Sequence, residues 1–302
     1  MLNIKEDQSK NVIDIVGTLS ELAIEKKSSN GKDFIVGKAT IKVDQEINGT
    51  VRECEIPVEM YANKITKEGK ESSLYHIIEK YEESLTSLAG ATSDHPEMAS
   101  KVVVKGATVS ENVWWDSSKN RAVSTVRINS NFINPYRGSA TDFEPKATFE
   151  LVGVITQKIA ETKNDEPTGR MKVMLATVGY NGKVDVIELI AESEGAVNFI
   201  DSNYENGDTV QLTGCVNISH KKEVYYEKQG FGPDLKKERT VSCREFIITG
   251  GSPAGFDEDN SYDHNDIKAG LAERQNRVEE SKNKTKSTPA AAPSRKSDPF
   301  GW

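Results

Sequence analysis

Two blocks of the chain repeat the same succession of alternating apolar segments and polar turns. The first block opens with IDIVGTLSE (residues 13–21) and the second with FELVGVITQ (residues 149–157). Alternation with a period of two predicts strands that bury one face. Polar stretches rich in turn residues follow both segments, KKSSNGKD in the first block and TKNDEPTGR in the second. The repeat therefore predicts two similar β-rich units.

The two blocks stay parallel through their second and third strands. Asn30-Gly31 and the stretch from Pro167 to Gly169 are typical turn residues, and they predict the first turn of each block. The second strands are FIVGKATIKV and MKVMLATVGY. An Asn-Gly step then leads in each block to a third strand, VRECEIPVEMY or KVDVIELIA.

A helix-like segment follows the third strand in both blocks. In SSLYHIIEKYEESLTSL the apolar residues recur at helical spacing, and Ser72 or Ser73 is the predicted N-cap. The second block has the shorter GAVNFIDSNY. A fourth strand and a returning fifth strand complete each block, KVVVKGATVS with RAVSTVRINSNFI, and DTVQLTGCVN with RTVSCREFIITG.

Five strands with a helix between the third and the fourth is the order of the OB-fold, a small Greek-key barrel. The alternative is a pair of small β-sandwiches, which would not need a helix at the same point in both blocks. We therefore predict a mainly β chain with two tandem OB-fold barrels and a disordered C-terminal tail. The expected division is residues 1–138 and 148–250 for the barrels, 139–147 for a linker, and 251–302 for the tail.

The tail differs in composition from the two blocks. It begins acidic and turn-rich, continues with DIKAGLAERQNRVEESK, and ends in the low-complexity NKTKSTPAAAPSRKS and the apolar tip DPFGW. Asp266 is the predicted cap of a helix whose apolar stripe, Ile267, Leu271 and Val278, is thin. Such a helix is marginal in water, and the segment after it is too poor in apolar residues to fold alone.

Composition narrows the function classes. The 302 residues carry a formal net charge of −8, from 39 basic and 47 acidic residues, which argues against a basic surface throughout but allows a local basic groove. Three widely spaced cysteines suggest reduced thiols in a cytoplasmic protein. The opening MLNIKEDQSK lacks the apolar core of a signal peptide, and no apolar run is long enough for a membrane span.

No motif of an enzyme is present in the sequence. There is no glycine-rich phosphate loop, no H-E-x-x-H and no G-x-S-x-G, and the four histidines are scattered. The acidic run at residues 257–259 lacks the ligand spacing of a cation loop and fits a solvated loop better. We therefore expect no catalysis, no cofactor and no metal.

A surface that binds nucleic acid is better supported by the second strands. Alternation places Phe34, Lys38 and Lys42 on the face opposite the apolar one, so an exposed aromatic ring lies beside cations. An ordinary solvated sheet face is the alternative. Glutamates of the third strand lie near Tyr61 and would repel phosphate. The candidate residues of the second block are Arg170, Lys172 and Tyr180.

The hairpin between the fourth and fifth strands carries a pair of aromatic residues in both blocks. These are VWWD, with Trp114 and Trp115, and VYYE, with Tyr225 and Tyr226. Neighbours on a strand point to opposite faces, so one member of each pair is expected to face the ligand and the other to be structural. Capping of the barrel ends is the alternative. The remaining candidates on these hairpins are Lys119, Arg121, Arg127, Lys221, Lys222, Phe231, Lys236, Lys237 and Arg239.

With these features the chain resembles the single-stranded DNA-binding proteins, in particular tandem OB-fold versions such as those of bacteriophages. The resemblance covers residues 11–250 by fold order and 251–302 by the design of the tail. Bacterial proteins of this class end in an acidic tip, usually closed by Pro-Phe, that docks onto partner proteins. The resemblance implies that role for Asp298, Pro299, Phe300 and Trp302, although this tip has one acid and continues past Pro-Phe.

The leading hypothesis is a protein that coats single-stranded DNA in phage replication and recombination, inside a bacterial host. It would bind without sequence preference, by base stacking and neutralisation of phosphates, with RNA as another acceptable ligand. The rival hypotheses are a replisome scaffold with little affinity for nucleic acid, which the overall acidity favours, and a nuclease built on the same barrels.

Overall fold

Eleven strands and four α-helices make up the described part of the chain. The computed structural model describes residues 2–92, 95–229, 231–232, 234–253 and 261–287. The strands are β1 (Asn11–Ser29), β2 (Lys32–Ile47), β3 (Thr50–Asn63), β4 (Lys101–Asp116), β5 (Arg121–Asn129), β6 (Asn134–Pro135), β7 (Lys146–Lys163), β8 (Glu166–Val178), β9 (Val184–Ala191), β10 (Thr209–Glu227) and β11 (Leu235–Gly251). The α-helices are α1 (Ser73–Glu79), α2 (Tyr81–Ser84), α3 (Glu194–Asn203) and α4 (His264–Ser287). Short 3-10 helices span Pro96–Met98, Ala140–Asp142 and Tyr180–Gly182.

The strands form two barrels of the same topology. In the first barrel β1 pairs with β2 and β4, β2 with β3, and β5 with both β3 and β4. In the second barrel β7 pairs with β8 and β10, β8 with β9, and β11 with both β9 and β10. This is the order of the OB-fold, repeated. The predicted fold class is therefore confirmed.

Strand β2 illustrates why the sequence folds this way. Ile35, Ala39, Ile41 and Val43 are buried in the barrel, while Lys38 between them is exposed, as the alternation predicts. Its hairpins turn on the Asn-Gly steps at residues 30–31 and 48–49, where every residue has positive φ. Asparagine and glycine adopt that left-handed region at low cost, so they set the register of β1, β2 and β3.

The first turn of the second barrel differs from the prediction. The turn lies at Asn164 and Asp165, with φ of 53° and 65°, and Pro167 already belongs to β8. Asn and Asp tolerate the left-handed conformation that a tight turn requires. The prediction that Pro167 to Gly169 form this turn is therefore wrong.

Both helices between the third and fourth strands are present. Ser72 is the N-cap of α1, where its hydroxyl accepts a hydrogen bond from the backbone N–H of Tyr75. The segment is divided into α1 and α2 at Lys80, and it buries Tyr75, Ile78 and Tyr81. Helix α3 takes the corresponding place in the second barrel and is capped by Ser193.

The two barrels share one sheet. Strand β1 pairs antiparallel with β7 from Asn11↔Leu151 to Val16↔Lys146, and this pairing joins the barrels edge to edge. Gln45 reinforces the junction: its Nε2 donates to the carbonyl of Val216 at 2.8 Å and its Oε1 accepts from Ala147 N–H at 2.8 Å. The interiors of both barrels form one continuous apolar cluster. The division into domains at residues 138, 147 and 250 stays a prediction.

Helix α4 packs on both barrels, although its sequence suggested a marginal helix. The predicted stripe is buried, with Ile267 and Val278 nearly inaccessible and Leu271 packed beside them. The cap is Asp263 rather than Asp266, since its Oδ1 accepts hydrogen bonds from the N–H groups of residues 265 and 266. The apolar content of α4 is too low to stabilise it as an isolated helix, so its stability depends on its contacts with β4 and β9.

The structure describes residues 261–287 of the predicted tail, and the tip residues 298–302 lie outside the described residues. No described helix is long and apolar enough to cross a membrane.

Candidate nucleic-acid interface

A groove crosses the outer face of the first barrel. It has a volume of about 870 Å³. We name it the β2–β3 groove, and among the residues that line it are Lys38, Tyr61, Lys105, Arg127 and Phe132. The outward residues of β2 and β3 form its floor, and residues of β4, β5 and the segment after β5 form one wall.

Two aromatic rings lie side by side on the face of β2 and β3. The ring centroids of Phe34 and Tyr61 are 5.6 Å apart and their planes are tilted by 35°. Tyr61 is 51% exposed and its hydroxyl donates to Asn63 Oδ1 at 2.8 Å, which fixes the ring. A second depression, of about 1100 Å³, begins at Tyr61 and runs toward the β1–β2 turn. Tyr61 therefore lies where two concave surfaces meet, with an open aromatic face.

The sequence prediction placed more weight on Phe34 than on Tyr61. Phe34 is on the predicted face but is half-buried, and Tyr61 covers part of it. In the sequence, the glutamates of β3 predict repulsion of phosphate near Tyr61. In the structure one of them, Glu59, contacts Arg127 at 3.4 Å, so its charge is partly compensated. Tyr61 is thus the more accessible stacking surface.

The cations of the β2–β3 groove differ in their partners. Lys27 contacts Glu25 at 2.8 Å and Arg127 contacts Glu59 at 3.4 Å. Within the described part of the chain, no carboxylate forms an ion pair with Lys38 or Lys105. These two ammonium groups are therefore the strongest candidates for phosphate contacts. Lys42, lower on β2, faces Asp44 at 3.6 Å and is less available.

Lys105 is a groove residue that the sequence interpretation missed. It precedes Gly106 on β4 and is an exposed position in a strand whose alternate residues, Val102 and Val104, are fully buried. The alternation of KVVVKGATVS contained this signal. The aromatic pair of the hairpin beyond β4 is the stronger signal in this part of the sequence.

The hairpin β4–β5 separates its two tryptophans onto opposite faces. Trp115 faces α4: its backbone N–H donates to Ser281 Oγ at 3.0 Å, and Lys282 Nζ lies 4.6 Å from the centre of its ring. Trp114 lies on the other face, which it shares with Thr108 and Arg127 of the β2–β3 groove. Trp115 is therefore the structural member of the pair, and Trp114 is the candidate for stacking.

The basic residues at the tip of this hairpin, Lys119 and Arg121, are exposed. Lys119 contacts Asp116 at 3.6 Å, and Arg121 begins β5 opposite Asp116. The Asp116 carboxylate accepts hydrogen bonds from Ser118, which together with Lys119 hold the pKa of this aspartate below its ordinary value. Asp116 thus stays ionised and compensates part of the charge of its basic neighbours.

The corresponding hairpin of the second barrel is longer and more exposed. We call the described residues between 219 and 242, which are the ends of β10 and β11 and part of the loop between them, the arm. Tyr225 and Tyr226 pair across the strands with Lys237 and Lys236, and Tyr226 is 64% exposed. The guanidinium of Arg239 lies 5.8 Å from the ring centre of Tyr225. Phe231, in the loop of the arm, is 93% exposed.

Not every cation on the arm is equally available. Lys237 forms an ion pair with Glu227, so part of its charge is already compensated. The side chains of Lys221 and Lys222 lie outside the described part of the chain. The arm therefore combines exposed aromatic rings with basic residues. Both Tyr225 and Tyr226 are exposed, so neither is buried as the structural member that the sequence predicts for each pair.

Comparison with known proteins fixes the family. The family model described as YorF matches residues 10–284. The chain belongs to the YorF family. No curated protein matches it.

Two solved structures resemble the fold of this YorF-family chain. A deletion variant of the single-stranded DNA binding protein from Thermus aquaticus matches with a TM-score of 0.50 and 13% identity, over 83% of this chain and 97% of that one. At this identity the likeness shows the fold alone. A replication protein A heterotrimer bound to single-stranded DNA matches with a TM-score of 0.23 and 12% identity, over 82% of this chain and 51% of that one. This second likeness carries no argument.

Two candidates on β8 of the YorF-family chain have acidic partners. Arg170 contacts Glu245 at 2.5 Å and Glu161 at 3.4 Å. Burial disfavours its charge, but the hydrogen bond to Glu245 and the negative charges of Glu245 and Glu161 together outweigh burial and raise the pKa of Arg170. These two glutamates, on β7 and β11, already compensate the charge of Arg170, so the geometry argues against a phosphate contact. Lys172 contacts Glu188 at 3.2 Å and remains a surface residue.

Tyr180 does not line the β2–β3 groove. It is 71% exposed and belongs to the turn between β8 and β9. Six strand residues, roughly 20 Å, separate it from Lys172, a candidate on β8.

The three cysteines are free, as the sequence indicates. Burial raises the pKa of the Cys54 and Cys215 thiols, and it raises the pKa of Cys243, with help from nearby Glu245, to about 12. These thiols are therefore protonated at neutral pH and poor nucleophiles.

Proposed function

We propose that this protein binds single-stranded DNA without sequence preference and without catalysis. The observation that carries the proposal is the β2–β3 groove, which is lined by the open ring of Tyr61 together with Lys38 and Lys105. Such a surface offers stacking for bases and cations for phosphates, which is how OB-fold proteins hold single strands. The Thermus aquaticus neighbour, a single-stranded DNA binding protein by name, supports it.

The mechanism follows from the positions of the side chains. Bases stack on Tyr61, and on Trp114 where the strand passes the β4–β5 hairpin, at about 1–3 kcal/mol per base. Lys38, Lys105 and Arg127 neutralise the phosphates that lie between those bases. Neither interaction depends on the identity of the base, so the protein coats any sequence. RNA offers the same rings and phosphates and is an acceptable ligand.

The setting of this activity is phage replication and recombination in the bacterial cytoplasm. The support is the resemblance of the two-barrel chain and its tail to single-stranded DNA-binding proteins of phages and bacteria. In this proposal the tip residues Asp298, Pro299, Phe300 and Trp302 recruit replication or recombination proteins. A chain that ends at residue 287 should retain DNA binding and lose those partners in a binding assay with purified replication proteins.

The main test is a titration with oligo-dT, followed by tryptophan fluorescence and by gel shift. We expect quenching at low salt, and a logarithm of affinity that falls linearly with the logarithm of salt concentration, by about 0.7 per neutralised phosphate. Lys38→Gln and Lys105→Gln should each reduce that slope by about 0.7. Lys5→Gln is the matched control, because exposed Lys5 follows Ile4 in the separate apolar cluster beneath α4.

A replisome scaffold is the second candidate function. The net charge of −8 favours it, since much of the surface would repel a polyanion. The titration separates the two functions. Absence of both quenching and gel shift at low salt would overturn DNA binding and leave the scaffold.

A further inference from the structure

Arg244 joins the base of the arm to the first barrel. It lies on β11 opposite Ile218 of β10. Its Nη1 donates a hydrogen bond to the backbone carbonyl of Val126, on β5 of the first barrel. The next residue of β5 is Arg127, which lines the β2–β3 groove. The arm of the second barrel therefore leaves its barrel beside the groove of the first.

Glu59 lies near two arginines that come from different barrels. Its carboxylate contacts Arg127 at 3.4 Å, and its charge also acts on the guanidinium of Arg244. Partial desolvation lowers the pKa of Arg244, and Glu59 opposes that shift. Arg244 remains an exposed residue. A guanidinium carries five N–H donors, so the hydrogen bond to the Val126 carbonyl leaves others for a ligand. The geometry thus presents a cation at the border between groove and arm.

The base of the arm is held in a fixed position against the first barrel. Gln45 binds the carbonyl of Val216 at 2.8 Å. Arg52 contacts Glu192, at the end of β9, at 2.6 Å, and both side chains are largely buried. These contacts flank the strands from which the arm projects. A site that spans the two barrels would therefore be preorganised, with little ordering cost on binding.

We propose that the β2–β3 groove and the arm form one continuous path for a single nucleic-acid strand, in which Arg244 contacts the phosphate that crosses from barrel to barrel. The inference rests on the proposed function. Bases leaving Tyr61 and Trp114 then meet the exposed rings of the arm, Tyr226 and Phe231. The two barrels act as one site rather than as two independent ones.

The length of the bound strand tests the continuous path. One OB-fold occupies roughly 4–16 nucleotides, so an oligo-dT of about 6 nucleotides fits one barrel and one of about 30 spans both. Arg244→Ala should weaken binding of the long strand about five- to tenfold and change that of the short strand less than about twofold. Arg244→Lys, which keeps the charge, should recover part of the loss. Lys5→Ala removes the same charge far from the path and should have no effect.

Thermal unfolding of each variant shows whether a loss of affinity comes from misfolding. An equal loss for the short and long strands, or no loss for the long strand, would overturn the continuous path while leaving DNA binding intact. An unmodified chain that binds neither strand would instead overturn the proposed function.

Discussion

Arg274, on helix α4, donates two hydrogen bonds to Glu111, whose side chain is only 1% exposed. The distances are 2.6 Å from Nε to Oε2 and 2.5 Å from Nη2 to Oε1. Ser124 Oγ and the backbone N–H of Val186 donate to the same carboxylate. Since Glu111 belongs to β4 and Val186 to β9, one buried carboxylate ties α4 to both barrels. A bidentate pair of this kind gives orientation as well as energy.

Removal of Arg274 should strongly destabilise the protein. Arg274→Ala leaves the Glu111 carboxylate buried without its counter-ion, a change that costs about 3–5 kcal/mol of unfolding free energy in comparable pairs. Urea denaturation measures it. The control is Arg277→Ala, one turn further along α4, whose more exposed guanidinium donates to the Val184 carbonyl at 2.8 Å and lies 3.7 Å from Asp185. That variant should lose about 1–2 kcal/mol. Equal losses in the two variants would contradict the special role of Glu111.

The same carboxylate predicts a pH dependence of stability. Burial alone would raise the pKa of Glu111, but the hydrogen bonds from Arg274, Ser124 and Val186 and the positive charge of Arg274 together outweigh burial and hold this pKa below the ordinary 4.5. A carboxyl group with a lowered pKa in the folded state stabilises the protein above its unfolded-state pKa, and the gain is lost as pH falls through the folded-state pKa. The difference in unfolding free energy between the natural chain and Glu111→Gln should therefore shrink below about pH 4.5. A difference that stays constant down to about pH 3 would show that the charge of Glu111 is irrelevant.

The sequence was sufficient for the barrels because their signals are local. The alternation in β2 and the Asn-Gly turns act within a few residues, and each agrees with the final register. The position of α4 could not be predicted in this way. Its stability depends on Glu111, which is 163 residues away from Arg274 and looks like a surface acid in the sequence.

The sequence predicts which residue types line the candidate site, but it does not predict which of their charges are compensated by ion pairs. Alternation identified the exposed face of β2, including Lys38. It could not show that Arg170 is engaged by Glu245, because that partner is 75 residues away. Which tryptophan faces the strand was also undecided in the sequence. Only the packing of α4 against Trp115 distinguishes the two.

Substitution of Trp114 should lower DNA affinity, whereas substitution of Trp115 should lower stability. Trp114→Ala removes a stacking surface of about 1–3 kcal/mol, which corresponds to a loss of roughly 5- to 150-fold in affinity for oligo-dT. Fluorescence anisotropy of a labelled oligonucleotide measures this loss. Trp115→Ala should leave the affinity nearly unchanged and lower the midpoint of thermal unfolding, because its ring packs against α4. Trp115→Phe, which keeps an aromatic ring there, should recover much of that stability.

The outcome for Trp114 is separable from a folding defect. Trp114 is half-buried and lies on the face of its hairpin opposite α4, with Thr108 and Arg127, so its removal should lower the unfolding midpoint less than Trp115→Ala does. Unchanged DNA affinity in both alanine variants would refute the assignment of this hairpin to the interface. A loss of affinity only in Trp115→Ala would reverse the two roles.

Two truncations separate the effect of helix α4 on stability from the role of the C-terminal tip residues. A chain that ends at residue 287 retains α4 and should match the full chain in both urea midpoint and affinity for oligo-dT. A chain that ends at residue 253 lacks α4, so Arg274 no longer neutralises Glu111 and Val184 loses its cover of Ile267 and Leu271. That chain should lose at least the 3–5 kcal/mol expected for Arg274→Ala, since it also exposes apolar surface. If it unfolded at the same urea concentration as the full chain, the packing of α4 on the two barrels would not contribute to their stability.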